Sequence, residues 1–280
     1  MPKYGMLSPN QISHLSNRLM FILLMTFCGI NSAMAEESKK GENPHSEWDV
    51  TLGAGVGIAP TYEGSQNYTV FPLPYIQVNW KDTIRLGFQG LNATILKAGT
   101  FKAGIGLTFN PGRDEKGSNL FNTSTDDTLR GLGDIDPALG ARAFASYQFT
   151  PVTLSTSVIK FLGNDNSGLL INAAISRPYP VNEQLILTPS ISTTWTDKSY
   201  MDTFFGISPR QSLNSQFSQF EAKSGMKDVS VNLQVMFRMN QHWFLFINGQ
   251  VKQLLSDAEK SPLSKSDTNG SLMTAIGYNF

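Results

Sequence analysis

Apolar and polar side chains alternate through most of the chain, from Trp48 to Phe280. In residues 229–239 the odd-numbered positions are Val, Leu, Phe or Met, whereas most even-numbered positions are Ser, Asn, Gln or Arg. Residues 138–149 and 48–58 repeat the pattern, with glycine and other small residues on the polar face. A two-residue period is typical of a β-strand with one apolar face, and no segment shows a persuasive period of 3.6 residues. The chain is therefore predicted to be all-β.

The alternating segments predict eleven clear strands, separated by loops that are either very short or long. These strands are 48–59, 68–80, 83–88, 101–109, 137–149, 152–161, 168–177, 185–195, 228–239, 243–254 and 271–280. Bacterial outer-membrane barrels keep short turns on the periplasmic side and long loops outside. Strands 83–88 and 101–109 would then both run outward, so a short inward strand must lie between them, near residues 91–97. We predict a single antiparallel transmembrane β-barrel of twelve strands, or of ten if the 83–97 hairpin does not pair.

The first 35 residues have the features of a secretory signal peptide. Basic residues precede an apolar run at 19–30, and Ala33 and Ala35 supply the small residues of a cleavage site. The run is shorter than the roughly 20 apolar residues that a spanning helix needs. We expect cleavage after Ala35, a polar periplasmic tail over residues 36–47, and the barrel over residues 48–280.

The last ten residues form an apolar dyad repeat that ends on an aromatic side chain. This end is similar to the closing strand that the bacterial barrel-assembly machinery reads, so Tyr278 and Phe280 are the candidate assembly signal. The four tryptophans fall at ends of predicted strands, where the aromatic girdles of membrane barrels lie. These features predict an integral protein of the Gram-negative outer membrane, in contact with its lipid and lipopolysaccharide.

Composition narrows the possible functions. Basic and acidic residues number 22 each, so the charge balance gives no reason to expect a nucleic-acid partner. The one cysteine, Cys28, lies in the predicted signal peptide, which leaves no thiol for disulfides, zinc or catalysis. His45 precedes the first strand and His242 lies in a predicted periplasmic turn, so neither reaches the outer rim, where histidine-dependent barrel enzymes act. The acidic loop 113–136 matches no standard calcium-binding spacing. We therefore predict no enzyme, no catalytic residue, no cofactor and no metal site.

Basic residues outnumber acidic ones on the polar faces of the predicted strands, where Asp49 is the only acidic residue. The five basic residues are Arg85, Lys102, Arg142, Arg238 and Lys252. One interpretation is a cationic lumen that favours anionic solutes. The other is that these side chains bond to loop carboxylates that fold into the barrel and plug it. The sequence leaves both interpretations open.

Several segments resemble the MipA/OmpV family of outer-membrane proteins, in order along nearly the whole exported chain. They are Tyr62-Glu63-Gly64-Ser65, Pro72-Leu73-Pro74-Tyr75, Leu129–Ile135 (with Gly131, Gly133 and Asp134), Ala138–Gly140, Tyr200–Ile207 and Gly225–Val229. The first segment predicts a turn. Pro72 and Pro74 share one face of a strand, and each removes a hydrogen-bond donor, which predicts a bent or edge-like segment.

The resemblance implies a barrel whose best-described relative scaffolds a lytic transglycosylase with a murein synthase. Other members are linked to osmotic or antibiotic response and to adhesion, and no catalytic residue is implied. We therefore expect a non-enzymatic scaffold for peptidoglycan-remodelling enzymes, or an envelope-integrity protein. The alternative hypothesis is a narrow diffusion channel with a cationic lumen that favours anionic solutes.

Overall fold

The computed structural model describes residues 47–115 and 126–280, and within them one barrel of twelve strands. The strands are β1 (Trp48–Pro60), β2 (Tyr68–Trp80), β3 (Ile84–Gly87), β4 (Gly90–Ala98), β5 (Phe101–Asn110), β6 (Ala138–Phe149), β7 (Val152–Leu162), β8 (Ser167–Ser176), β9 (Leu185–Thr196), β10 (Gly225–Arg238), β11 (Trp243–Leu254) and β12 (Thr268–Asn279). The loops contain α1 (Lys198–Phe205), α2 (Pro209–Asn214), α3 (Ser256–Lys260) and a 3-10 turn (Asp127–Leu129), and Tyr179–Pro180 forms a two-residue bridge to β9. The predicted signal peptide and His45 lie outside the described residues.

Antiparallel pairing of consecutive strands closes the sheet on itself. β12 pairs with β1 from Thr51 to Ile58, and β9 pairs with β10, so the sheet forms a complete ring. The short hairpin of β3 and β4 pairs as far as Gly87 opposite Gly90. The prediction of twelve strands is confirmed for the described part of the chain, and the ten-strand alternative is wrong. As for helices, those in the described ranges are all too short or too polar to span a membrane.

The two faces of the barrel wall differ as the alternation predicts. Val231, Leu233 and Ile276 are exposed on the outside, whereas Ser230 and Asn232 are buried on the inside. A soluble barrel would bury its apolar face and expose its polar face. The observed arrangement is that of a barrel whose outer surface is solvated by lipid.

Glycines inside the barrel make room for aromatic rings from neighbouring strands. A Cβ atom at Gly57 would lie 2.3 Å from the ring of Phe71, and one at Gly277 would lie 2.3 Å from the ring of Phe244. These rings belong to what we call the interior apolar cluster: Ala59, Phe71, Leu73, Tyr75, Phe88, Met236, Phe244, Phe246, Met273 and Ala275. Part of the interior is therefore filled by packed side chains.

Aromatic rings gather at the end of the barrel where the turns are short. Tyr278 stacks on His242, with 5.2 Å between ring centroids, and packs edge-on against Trp243 and Phe280. Phe280 follows the last residue of β12, and its N–H donates to the carbonyl of Val50 in β1 (3.0 Å). The residues predicted as the assembly signal thus lie at the seam where the two terminal strands meet.

β2 has an edge without a strand partner among the described residues. It pairs with β1 along its whole length, but with β3 only at residues 78–80. The N–H of Thr83 donates to the carbonyl of Trp80 (2.9 Å), so the backbone groups of even-numbered β2 residues point toward β3. Pro72 and Pro74 are even-numbered, and because proline lacks an N–H, neither exposes an unpaired donor on that edge. The segment is edge-like, as the prolines predict.

Two strands begin three residues earlier than predicted. β10 starts at Gly225 rather than at residue 228, and β12 starts at Thr268 rather than at residue 271. Lys227 is an extra residue in β10 that has no partner in the register with β9. Such a bulge interrupts the two-residue period and redirects a side chain, so Lys227 and Asp228 are both buried although they are neighbours.

Candidate functional site at the extracellular end

The long loops fold together over one end of the barrel, the extracellular end by the loop-length rule. We call this assembly the extracellular cap; its described residues are 61–67, 111–115, 126–137, 163–166, 197–224 and 255–267. The Asp197 side chain caps α1 by accepting from the N–H of Tyr200 (3.0 Å). A Cβ at Gly168 would lie 2.6 Å from the Cβ of Tyr200, so glycine in β8 allows α1 to lie directly on the wall.

Two apolar clusters pack the cap. The first joins the strand ends to α1 and α3 through Ala138, Ile159, Phe161, Leu170, Tyr200, Met201, Phe205, Ala222, Leu254 and Ala258. The second joins the loops to one another through Leu129, Leu132, Ile207, Phe217 and Leu263, with Tyr62 and Phe220 against it. Burying large apolar side chains stabilises the cap by roughly 1.5–3 kcal/mol for each fully buried one.

Four charged side chains meet between the cap and the barrel wall. Glu63 extends from the β1–β2 loop, and its Oε1 accepts hydrogen bonds from the Nζ atoms of Lys227 (2.5 Å) and Lys252 (2.8 Å). The carboxylate of Asp228 lies 2.8 Å from the Nζ of Lys227, and these two side chains are only 3% and 4% exposed. We call these residues the ion cluster. Its two carboxylates and two ammonium groups neutralise one another, which is the condition for charge to be tolerated out of water.

The Glu63 carboxyl remains ionised in this setting. Burial alone would raise its pKa, because burial disfavours the charged form. The positive charges of Lys227 and Lys252 outweigh burial and hold the pKa of this carboxyl well below its usual range. At physiological pH the Glu63 carboxylate is thus charged and pairs with both lysines of the wall.

Asp126 forms a second polar junction in the cap. Its carboxylate accepts hydrogen bonds from the side chains of Thr61 (2.5 Å), Ser65 (3.0 Å) and Asn67 (3.3 Å). It also caps the 3-10 turn by accepting from the N–H of Thr128 (3.1 Å). Burial opposes ionisation, but these hydrogen bonds outweigh it and lower the pKa of the Asp126 carboxyl. The junction ties the β1–β2 loop to the β5–β6 loop.

Tyr62 and Arg113 are buried beside this junction. The Tyr62 hydroxyl donates to the carbonyl of Leu263 (3.1 Å), and burial raises the pKa of Tyr62 to about 12. The Arg113 guanidinium donates to the carbonyl of Phe204 (3.0 Å), and burial lowers the pKa of Arg113 to about 10. Both side chains therefore keep their usual ionisation at neutral pH and act as hydrogen-bond donors within the cap.

Two motif glycines permit close approach of cap segments. Gly64 has φ +90°, and a Cβ there would lie 2.7 Å from the Oγ of Ser264. Gly131 has φ +89°, and a Cβ there would lie 2.0 Å from the carbonyl oxygen of Asn214 at the end of α2. Both positions combine the left-handed backbone region with a contact that leaves no space for a side chain.

The acidic β5–β6 loop uses its carboxylates to bind its own backbone. The N–H of Gly133 donates to Glu115 Oε2, and the N–H of Glu115 donates to Asp134 Oδ1, both at 2.7 Å. Within residues 47–115 and 126–280, no three His, Cys, Asp or Glu side chains are grouped to hold a metal ion. The motif residues Gly133 and Asp134 thus shape the loop.

Comparison with known proteins identifies the family. The family model described as MltA-interacting protein MipA matches residues 52–280. The chain belongs to the MipA family. The MltA-interacting proteins of Escherichia coli strain K12 and Shigella flexneri are each 22% identical to it over 245 residues, which are 84% of this chain and 92% of theirs. Among solved structures, the KdgM porin aligns with a TM-score of 0.40 at 5% identity over 82% of this chain and 99% of the porin, and the NanC porin with 0.40 at 8% over 83% and 100%.

The predicted family and location are both confirmed. As a MipA-family barrel with an apolar outer face and a ring of strands, the protein is integral to the outer membrane. Most of the MipA-like segments meet in the cap: Tyr62–Ser65, Leu129–Ile135, Tyr200–Ile207 and, at the ion cluster, Gly225–Val229. The segment from Pro72 to Tyr75 lies apart from them, on the free edge of β2.

The five basic residues considered for the lumen share the register of buried inward-facing residues in their strands: Arg85, Lys102, Arg142, Arg238 and Lys252. Arg85 donates to the Oδ1 of Asn79 (3.0 Å), and Arg142 donates to the Oε1 of Gln89 (2.7 Å). Lys252 binds a loop carboxylate, as the plugged-barrel interpretation expects.

The sequence analysis missed Lys227 and Asp228. These residues are adjacent in the chain, so a strictly alternating strand would point one of them outward. The available signal was a pair of adjacent charged residues at the start of a strand that otherwise alternates between apolar and polar side chains. A β-bulge is the local structure that can bury two such neighbours. Their partner Glu63 is 164 residues away from Lys227, and no local pattern links them.

Proposed function

We propose that this MipA-family barrel is a non-enzymatic scaffold that is closed on the outside and binds a lytic transglycosylase, and with it a murein synthase, at its periplasmic rim. The observation that carries the proposal is the ion cluster. Glu63 extends from an outer loop to the inward-facing Lys252, so this loop is attached inside the barrel mouth. A cap attached in this way favours a structural role and disfavours the passage of solutes.

The alternative, a channel for anionic solutes, needs basic side chains that face open water. Lys252 binds Glu63, and Arg85 and Arg142 bind amide oxygens of neighbouring side chains. The interior apolar cluster occupies part of the same interior. These contacts favour the plugged barrel over the cationic lumen.

The periplasmic rim offers one segment suited to a protein partner. Residues 177–184 join β8 to β9, whereas the other described connections at this end contain two to four residues. Tyr179 and Val181 in this segment are exposed. Tyrosine is one of the residues that most often supply the free energy of binding when they are buried at the centre of a contact. The relatives are named for interaction with MltA, and we infer that this segment contacts such a periplasmic enzyme.

Pull-down from detergent extracts tests the scaffold. The double change Tyr179→Ser and Val181→Ser is expected to reduce recovery of the lytic transglycosylase MltA by about tenfold, the effect of roughly 1.4 kcal/mol of binding free energy. The matched control is Leu213→Ser, which removes an 87%-exposed leucine from the opposite, extracellular end and should change nothing. Equal recovery with all three proteins, or none above an unrelated barrel, would contradict scaffolding at this rim.

A further inference from the structure

The barrel wall has a gap beside β2. β3 ends at Gly87 and turns through Phe88 and Gln89 into β4, so the β3–β4 hairpin covers only the periplasmic end of β2. Residues 68–77 of β2 then have β1 on one side and no paired strand of the described residues on the other. At the hairpin tip, two strands separate β2 from β5, which corresponds to about 14 Å between their axes.

The chemistry of the free edge disfavours a protein strand as occupant. A strand added to an edge needs N–H donors from it, and Pro72 and Pro74 remove two donors that would point into the gap. An unpaired N–H in hydrocarbon costs several kcal/mol, so the prolines also lower the cost of leaving this edge open to lipid. The edge therefore exposes two fewer unpaired donors to the membrane than a strand without these prolines would.

The β2 side chains beside the gap are mostly apolar on both faces of the wall. Phe71, Leu73 and Tyr75, on the inner face of the same β2 segment, belong to the interior apolar cluster. Phe88, at the hairpin tip, packs edge-on against Tyr75 with 5.1 Å between centroids. On the outer face, Val70 is 56% exposed. A hydrocarbon chain that enters along β2 would contact these apolar side chains.

The position of the gap selects the leaflet. The paired part of β2 adjoins the periplasmic turn at residues 81–83, and the unpaired part continues from there to Tyr68 at the extracellular end. The gap therefore faces the outer leaflet, whose lipid in a Gram-negative outer membrane is lipopolysaccharide. The geometry points to a lateral lipid site, in which an acyl chain of lipid A enters between β2 and the β3–β4 hairpin and lies against Phe88.

Photo-cross-linking in living cells tests this site. The photoreactive residue p-benzoylphenylalanine replaces Phe88 at the gap, Phe144 on the inner face of β6, or Phe237 on the lipid-facing side of β10. β6 is paired on both sides, so Phe144 is an inward-facing control behind an intact wall. Phe237 is exposed on the outside near the periplasmic end of β10, so it serves as the lipid-contact control for the inner leaflet. Purified adducts are examined by immunoblot for lipopolysaccharide and by mass spectrometry for glycerophospholipid.

We expect lipopolysaccharide adducts at Phe88, glycerophospholipid adducts at Phe237 and neither at Phe144. Labelling at Phe88 no higher than at Phe144 would overturn the site, and so would equal labelling at all three positions. Adducts at Phe88 with glycerophospholipid alone, or with protein, would exclude lipid A as the occupant. If the Phe88 variant does not fold, as judged by heat-modifiable migration, the probe at Leu73 replaces it and is judged by the same outcomes.

Discussion

Replacing Lys227 with methionine is expected to lower the free energy of unfolding by about 3–5 kcal/mol, the usual cost of removing one partner from a buried ion pair. Methionine approximates the length of the lysine stem, so the lost packing is small. The Asp228 carboxylate, which is 3% exposed, would lose its contact at 2.8 Å and keep only Lys252, at 3.9 Å. Glu63 also keeps only Lys252 as a partner. Denaturant unfolding in detergent micelles, followed by heat-modifiable migration, measures the change.

The matched control is Lys198→Met in α1. Lys198 pairs with Glu221, and both side chains are more than half exposed. An exposed pair of this kind contributes little to stability, because water and salt screen its charges. Equal stability of the Lys227→Met and Lys198→Met proteins would show that the ion cluster does not hold the β1–β2 loop against the wall.

Replacing Gly131 with alanine is expected to release α2 from the cap. The added Cβ would lie 2.0 Å from the carbonyl oxygen of Asn214, and φ +89° is strained for any residue with a side chain. The strain alone costs about 1–3 kcal/mol, and the contact can be relieved only by moving one of the two segments. Trypsin cleavage after Arg210, an exposed residue of α2, reports the release. Its rate should rise about tenfold for each 1.4 kcal/mol by which the free energy of local opening falls.

Gly133→Ala separates strain from contact. Gly133 has φ +79°, close to that of Gly131, but no atom lies within 4 Å of its added Cβ. Cleavage after Arg210 should rise much less in this variant. If both variants are cleaved at the same rate, the approach of residue 131 to α2 is not what positions that helix.

Much of the barrel follows from the sequence because each membrane strand interacts with two different solvents. Lipid outside and packed polar groups inside impose the alternation seen in residues 229–239. Because short turns and long loops lie at opposite ends of the barrel, an additional strand was required between 83–88 and 101–109, and this strand is β4. The prolines at 72 and 74 predicted an edge-like segment, because a missing N–H has the same consequence in any barrel. These effects depend on residues that are close together in the chain, so they can be predicted from the sequence.

The cap was less accessible to prediction, because its contacts join distant segments. The Tyr62-Glu63-Gly64 segment predicted a turn, and the structure has a turn there, but its direction into the barrel depends on Lys227 and Lys252. The bulge at Lys227 broke the period on which strand prediction rests. The sequence offered two interpretations of Lys252, and its contact with Glu63 depends on a loop residue that no local pattern connects to it.

Planar-bilayer conductance of the purified protein tests the closed barrel most directly. A cap attached through the ion cluster and an interior partly filled by the apolar cluster predict no sustained current above that of protein-free bilayers. The Lys227→Met protein, in which the attachment is weakened, is expected to show intermittent current in the same assay. A sustained, anion-biased current through the wild-type protein that Arg142→Glu abolishes would contradict the closed scaffold and establish the channel.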